Sequence, residues 1–467
     1  VTINYEKSAI WADVKKVMKG NGVSSLTKRK GTIHTKFKDF NVMHIASLDY
    51  IRAYTKNMSD SIHITFTVSM GDYVYNIYPF RDNLEMTITT ATLESSSSKS
   101  KPIPSVERYK AIFLIKENQI VTSSQLGGVD KATLDLTGVI EVKLQLQNRS
   151  AEPLRIMTIS GTAKNVKVGD FLPSILYNEA TKVMVDGKPS IDGIDMVTSS
   201  NTKVIPHVVL KQGTLLRKIP FILQNDVAGV FSADIGSYIQ NYKGKMLWFL
   251  YPLYDLTRFS AAVDKMVIYA LPEGIYGGID NTYITDGGLL SVLATSTKRY
   301  SDHGEANLMD HGVGFRMTDA SAFMKKPIQI DANGPIGNPT NLNSYVGAKQ
   351  REDGLDYAPV SEKGISSNLM AEYSKISAKM VSYVDIVWEH SDFTLIYPGM
   401  PCQYVYLENG KVVRLNGVVH HIHAYIRSTG NILMPGPFLT STAIRMAMEI
   451  APSPSVNNIN STVTIKN

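Results

Sequence analysis

The sequence predicts a mainly β protein with a mixed α+β segment in its middle, and three observations carry that prediction. Apolar residues alternate with polar ones through residues 61–160 and again from about Lys375 to Ile450. A period of two puts successive side chains on opposite faces of a strand. Pro398-Gly399, Asn409-Gly410 and Asn416-Gly417 break the C-terminal run into short segments. Asn-Gly between β-branched runs is a strong hairpin signal, because both residues tolerate positive φ and suit the twist of paired strands. Phe393–Ile426 therefore reads as a compact antiparallel barrel. Helical spacing is confined to two stretches, at 6–18 and 226–242.

Taken in order, Ile10, Trp11, Val14, Val17 and Met18 have helical spacing, and Gly20-Asn21-Gly22 ends the helix. Ile62, Ile64, Phe66 and Val68 line one face of a strand that stops at Met70-Gly71-Asp72. Tyr73–Phe80 and Leu84–Thr90 read as the next two strands, and Ser95–Ser100 as a flexible loop. Tyr109–Lys116 resumes the β pattern. Val139–Gln147 sets Ile140, Val142, Leu144 and Leu146 inward against Val139, Glu141, Lys143 and Gln145, and Leu154–Ser160 continues the run. Residues 1–30 are thus a helix and arm, and 31–165 an antiparallel β domain. Residues 166–297 form the mixed domain, with loops after Gly169–Pro173, a helix from an Asp226 N-cap to Tyr242 bearing Val227, Phe231, Ile235 and Tyr238 on one face, and an apolar strand from Lys245. Residues 298–370 are a loop-rich insertion, long for a compact domain. Ile376, Ala378, Met380, Val384, Ile386 and Trp388 open the second β domain, 371–450, which Thr440–Ile450 closes as a strand or short helix. Residues 451–467 are Ser/Asn-rich and read as a flexible tail.

At 467 residues the chain has room for two to four domains, and 43% hydrophobic against 19% charged residues excludes a disordered or coiled-coil protein. Tyr outnumbers Phe by 24 to 14, which suits subunit contacts or sheet edges, where the hydroxyl stays hydrated. The net charge is +6. The basic run Lys16, Lys19, Lys28, Arg29 and Lys30 lacks interleaved aromatics and reads as a solvated arm rather than a nucleic-acid contact. The single Cys402 excludes an intrachain disulfide and suggests synthesis in a reducing cytoplasm. No apolar run reaches 18 residues, so a membrane span is not expected, and no signal peptide is evident. A start at Val1 is expected from removal of an initiating Met.

Three stretches carry a resemblance to a family. They are Gly71–Ile88, Gln212–Leu253, and Leu395–Pro401 followed by Asn416–His423, the last with a Pro-Gly turn and then Gly417-Val418-Val419 and His421. In this order they resemble the hub proteins of phage tails and contractile injection machines, including late-control-D-like proteins and the hub half of VgrG-type spikes. The resemblance covers about half of the chain; the region 298–364 departs from it. It implies two tube-type β-barrels, 31–165 and 371–450, flanking the mixed domain. It also implies a homotrimer whose six similar barrels form a ring, so that a threefold central spike meets a sixfold tail tube protein. Tape measure protein and then DNA would pass through the ring, with wedge proteins as further neighbours. The place would be the virion tail or baseplate, assembled in the host cytoplasm. No catalytic, cofactor-binding or metal residues are implied.

Two clusters offer other chemistry. His421 and His423 share one face of a strand and with His390 or Glu389 make a zinc or nickel set; the alternative is that these imidazoles and His420 hydrogen-bond locally. Asp302, His303, Glu305, Asp310 and His311 supply ligands or a carboxylate pair for a virion-associated hydrolase or a metal-dependent receptor-binding module. The alternative is solvated loop carboxylates. Cys402 has no partner motif and reads as a buried, inert thiol. No Walker A, GxSxG, HExxH or dinucleotide fingerprint is present, and Gly127-Gly128, Gly277-Gly278 and Gly287-Gly288 read as turns. A wedge or tube-initiator protein is a further structural reading.

Overall fold

The computed structural model describes residues 9–19, 26–54, 58–92, 105–119, 138–199, 201–227, 229–231, 233–271, 282–294, 296–301, 316–318, 329–331, 357–359, 381–408, 411–431, 433–434 and 436–449. The clusters at Asp302–Glu305 and Asp310-His311 lie outside these residues, as do the Ser/Asn-rich C-terminus and most of 298–370.

Strands dominate. After a helix at Trp11–Met18 come β1 (Thr27–His34), β2 (Asp39–Asn41), β3 (His44–Ala53), β4 (Ser61–Ser69), β5 (Glu85–Thr92), β6 (Ser105–Gln119) and β7 (Val139–Asn148). The middle of the chain holds β8 (Thr158–Lys167), a helix at Val168–Ala180, the short β9 (Met184–Val185) and β10 (Lys188–Pro189), β11 (Gly193–Met196), β12 (Val204–Leu215), β13 (Ile235–Tyr242) and β14 (Lys245–Pro252). There follow β15 (Lys265–Ala270), β16 (Tyr283–Asp286), β17 (Leu289–Ala294) and β18 (Ser296–Ser301), then three small strands that pair with one another, β19 (Arg316–Thr318), β20 (Gln329–Asp331) and β21 (Tyr357–Pro359). The chain closes with β22 (Ser382–Glu389), β23 (Pro401–Glu408), β24 (Lys411–Ser428) and β25 (Phe438–Met448). Among the described residues no helix is long and apolar enough to cross a membrane.

The expected β character holds, but the two strand-rich regions enter one 15-stranded mixed sheet instead of two separate ones. Its order is β16-β17-β15-β23-β24-β3-β4-β7-β6-β5-β1-β25-β22-β18, with β2 beside β1. An additional β24–β25 pairing makes the path from β24 through β3, β4, β7, β6, β5, β1 and β25 return to its start. The β1–β25 step rests on Thr27 opposite Phe438. β15 runs parallel to β17 and β23 and is buried on both faces. Met266 and Ile268 join the main core, while Val267 and Tyr269 pack with Ile10, Val14 and Val17 of the N-terminal helix. A strand covered on both sides reads as a continuous apolar run, not an alternating one.

The strict alternations predict burial well. Ile62, Ile64, Phe66 and Val68, then Ile140, Val142, Leu144 and Leu146, and Val384, Ile386 and Trp388 are all buried. A second core gathers under the helix Val168–Ala180, where Val168, Leu172, Leu176 and Ala180 form an i, i+4 stripe against β13 and β14.

Five expectations fail. Residues 226–242 are not one helix: Leu223–Val227 is a single wide helical turn and Ile235–Tyr242 is β13, hairpinned to β14. Adjacent Tyr238 and Ile239 serve opposite cores, as only a strand allows. The turn is Lys243-Gly244, with φ of 50° and 80°, a hairpin geometry that Lys does not advertise. Tyr73–Phe80 is not a strand but two helical turns, Tyr73–Ile77 and Tyr78–Asn83. Ser69 starts them by accepting the Asp72 amide at 3.0 Å, and Tyr73 and Ile77 are buried at i, i+4 spacing. Glu152–Ile156 is a helical turn interrupting the run expected over Leu154–Ser160. Asn416-Gly417 is not a turn, because β24 runs straight through it. The loops expected after Pro173 begin instead beyond a helix that carries this proline in its interior.

Candidate functional site

The most distinctive part of the molecule is where β24 and β25 change partners. β24 pairs with β23 over Lys411–Val418 and with β3 over His421–Arg427, while β25 lies along its other side. β25 in turn pairs with β22 over Ser441–Met448 and meets β1 at Phe438. Two strands therefore brace two strand groups. Gly417 marks the crossing: a Cβ there would collide with the Met448 side chain and the Ala447 carbonyl. Its neighbour Asn416 is clamped by Glu449, which accepts from the Asn416 backbone amide at 3.0 Å and its side-chain amide at 3.3 Å.

His420 is the extra residue of a bulge between Val419 and His421. The bulge turns its ring inward between Tyr254 and Tyr383, with centroids 4.9 and 6.1 Å away. Nε2 lies 2.9 Å from the Leu253 carbonyl, which only accepts, so the imidazole donates from Nε2. Burial lowers its pKa to about 4. Above pH 6.5 neither folded nor unfolded chain protonates this ring, and stability is full. As pH falls from 6.5 to 4 the unfolded chain binds a proton that the folded chain excludes, so stability declines by roughly 3 kcal/mol. His420→Gln keeps an N–H donor without the titration. Melting temperatures of the two proteins are expected to diverge above pH 4 and approach each other as pH falls through that window; parallel profiles would remove the assignment.

Beside His420 opens a cleft of about 710 Å³, lined by Tyr54, Tyr254, Tyr383, Tyr425, His421, His423 and the Asp385–Arg445 pair. Arg445 donates to both Asp385 oxygens at 2.9 and 3.1 Å. His421 and His423 do share a side, 6.4 Å apart between ring centroids, and His423 packs on Tyr425 at 3.9 Å. No third ligand joins them: among the described residues no three His, Cys, Asp or Glu side chains are placed to hold a metal. Glu389 and His390 offer their backbone carbonyls to Thr282 at 2.8 and 3.5 Å. Cys402 is buried in β23, where burial pushes its thiol pKa up and leaves it unreactive.

A second junction was not legible as a site. Arg52 of β3, buried, pairs with Asp60 through two hydrogen bonds of 2.8 and 3.0 Å. The same guanidinium donates to the carbonyls of Phe393 and Ile396 at 3.0 and 3.1 Å and lies 4.9 Å from the Phe393 ring. Tyr238 of β13 donates to Asp60 at 2.9 Å. One buried ion pair thus joins the N-terminal strands, the middle hairpin and the segment before β23. The available signal was a charge inside the apolar run Tyr50-Ile51-Arg52-Ala53-Tyr54. Next to it the Tyr54 hydroxyl donates to the Pro398 carbonyl, and Gly399 takes φ +89° where Tyr54 and Tyr251 leave no space for a side chain. The Pro398-Gly399 turn read from sequence is real.

The fold is similar, over most of the chain, to phage tail proteins and VgrG-type components. A tail protein from Neisseria meningitidis superposes with a TM-score of 0.43 and 8% identity over 90% of this chain and 96% of that one. The tail protein of prophage MuSo2 from Shewanella oneidensis gives 0.43 and 8% over 89% and 96%. A Francisella PdpA–VgrG complex gives 0.43 and 10% over 96% of this chain and 57% of that chain. No protein-family model and no curated protein matches the sequence.

Proposed function

We propose that this chain is a structural subunit of a tail or baseplate hub, three copies of which form a ring between a threefold spike and a sixfold tube. The observation that carries the proposal is the bracing of two strand groups by β24 and β25. One group is β3, β4, β7, β6, β5 and β1. The other is β22 and β18 on one side, with β23, β15, β17 and β16 on the other. As two tube-type barrels held side by side, these groups would give a trimer six similar modules, which is how threefold and sixfold symmetry are reconciled. Large apolar side chains on turns and strand ends, among them Phe37, Met43, Tyr75, Leu433 and Met434, are exposed in the single chain and suit burial between subunits. The tail tube protein, central spike and tape measure protein are the partners this reading requires, with wedge proteins outside and DNA in transit through the ring.

Native mass spectrometry of the chain purified with its spike and tube neighbours tests the reading. The expected complex contains three copies of the 51.6 kDa chain, and an electron-microscopy reconstruction shows six similar modules around a channel. Six copies, or a persistent monomer within the assembly, would instead assign the chain to a tube, wedge or peripheral position.

A further inference from the structure

The middle of the chain carries a concentrated positive charge that neither the sheet nor the two cores use. β8 and β12 form an antiparallel two-stranded ribbon that pairs with no third strand among the described residues. Residues 158–167 and 203–218 contain Lys164, Lys167, Lys203, Lys211, Arg217 and Lys218 and no Asp or Glu. That excess equals the net charge of the whole chain, +6, so the remainder of the protein is balanced.

The ribbon has two unlike faces. Ile159, Ala163, Val208 and Leu210 turn toward the helix Val168–Ala180, whose Phe171 and Ile175 share a groove with them. Ile205 is buried and Val166 half-buried on the same side, while Lys164, Lys167, Lys203, His207 and Lys211 are exposed, with Ser160 and Thr162 between them. Lys164 stands directly opposite His207. Lys211 sits in a bulge between Leu210 and Thr214 that Gly213 permits with φ +78°, so its side chain leaves the regular pleat. None of these four lysines has an ion-pair partner among the described residues.

We infer that this ribbon is a nucleic-acid contact surface that engages the phosphates of double-stranded DNA without reading its sequence. Chemistry decides between DNA and an acidic protein. The interior of a protein–protein interface is depleted in lysine and in charged residues generally. An exposed side of lysines, hydroxyls and two valines, Val204 and Val209, with no carboxylate in the ribbon itself, matches a uniform polyanion, which repels every Asp and Glu along its length. A two-stranded ribbon also has the width that the major groove admits. The inference does not depend on the hub proposal, since a single chain presents the whole surface.

Fluorescence anisotropy of the full chain with a labelled two-turn DNA duplex of arbitrary sequence tests it. Binding is expected to weaken with salt, with log K against log [salt] sloping by about −0.9 for each phosphate contact, roughly −3 to −4 for the four lysines. Changing Lys164, Lys167, Lys203 and Lys211 together to Glu is expected to reduce affinity by on the order of 100-fold or more in low salt. Lys36→Glu with Lys38→Glu, equally exposed on the β1–β2 turn, leaves it nearly unchanged. If the fourfold variant misfolds, Lys164→Ala and Lys211→Ala singly each flatten the slope by about 0.9. Absence of duplex binding by the unaltered chain, or binding indifferent to these lysines, overturns the inference. Equal affinity for poly-glutamate of matched charge also overturns it and assigns the ribbon to an acidic protein.

Discussion

Replacing Asp60 by alanine is expected to destabilise the protein by about 3–5 kcal/mol, the largest effect of any single side chain in the junction. The carboxylate holds both Nε and Nη2 of Arg52 and accepts the Tyr238 hydroxyl, all of them buried. Without it the guanidinium remains inside the protein with two backbone carbonyls and the Phe393 ring as its remaining partners. A buried charge stripped of its counter-ion costs far more than the pair contributes when intact. Tyr238→Phe deletes one hydrogen bond to a charged acceptor and is expected to cost less, about 1.5–3 kcal/mol. Arg52→Met combined with Asp60→Leu removes both charges and should recover much of the loss, although the Phe393 and Ile396 carbonyls then lose their donor. Urea unfolding of the singles and the double, closed as a mutant cycle, measures the coupling. A loss below about 1 kcal/mol for Asp60→Ala would mean that water reaches the pair and the junction is not sealed.

Gly417→Ala is the second large effect, expected at roughly 3 kcal/mol, at the upper end of overpacking costs. One added methyl meets the buried Met448 thioether, a flexible side chain, and the Ala447 carbonyl, which is fixed by the β24–β25 ladder. Met448→Ala in the Gly417→Ala background should therefore restore only part of the stability, since the backbone collision persists. Gly161→Ala provides the comparison. That glycine also lies in a strand, but nothing stands within 4 Å of an added Cβ, and the change is expected to fall within about 0.5 kcal/mol of neutral. Thermal melts of the three variants separate crowding at the crossing from the general effect of glycine in a strand. Similar melting points for Gly417→Ala and Gly161→Ala would show that β24 and β25 are not tightly apposed there.

The two predictions rest on features with different visibility in the sequence. Arg52 interrupts an apolar run, but its partner Asp60 is eight positions away, just before the next strand, and Tyr238 is 178 positions beyond Asp60. Gly417 stands in a turn motif but serves a strand crossing. Asn-Gly is a turn signal because glycine reaches positive φ, yet the same missing Cβ also lets two strands cross closely. A local pattern does not separate the two uses. Gly399, by contrast, does sit in the expected turn with positive φ. The histidines show the same division. Their side-sharing on a strand followed from period two, whereas the bulge that turns His420 inward came from the pairing of β24 with β25.

What the residues determined unaided is the strand content and, along β4, β7 and β22, which side chains are inside. A period of two acts over neighbouring residues and needs no knowledge of the partner strand. The helix Val168–Ala180 was equally local, a stripe at every fourth residue obscured by Pro173. Which strands lie together was decided by tertiary structure. β15 joins β23 from more than 130 positions away because its two apolar faces need covers on both sides, one from the sheet core and one from the N-terminal helix. Burial of apolar area is non-directional, so many partners would satisfy each strand separately. The arrangement that satisfies all of them at once, with β24 and β25 serving two groups, exists only in the assembled fold.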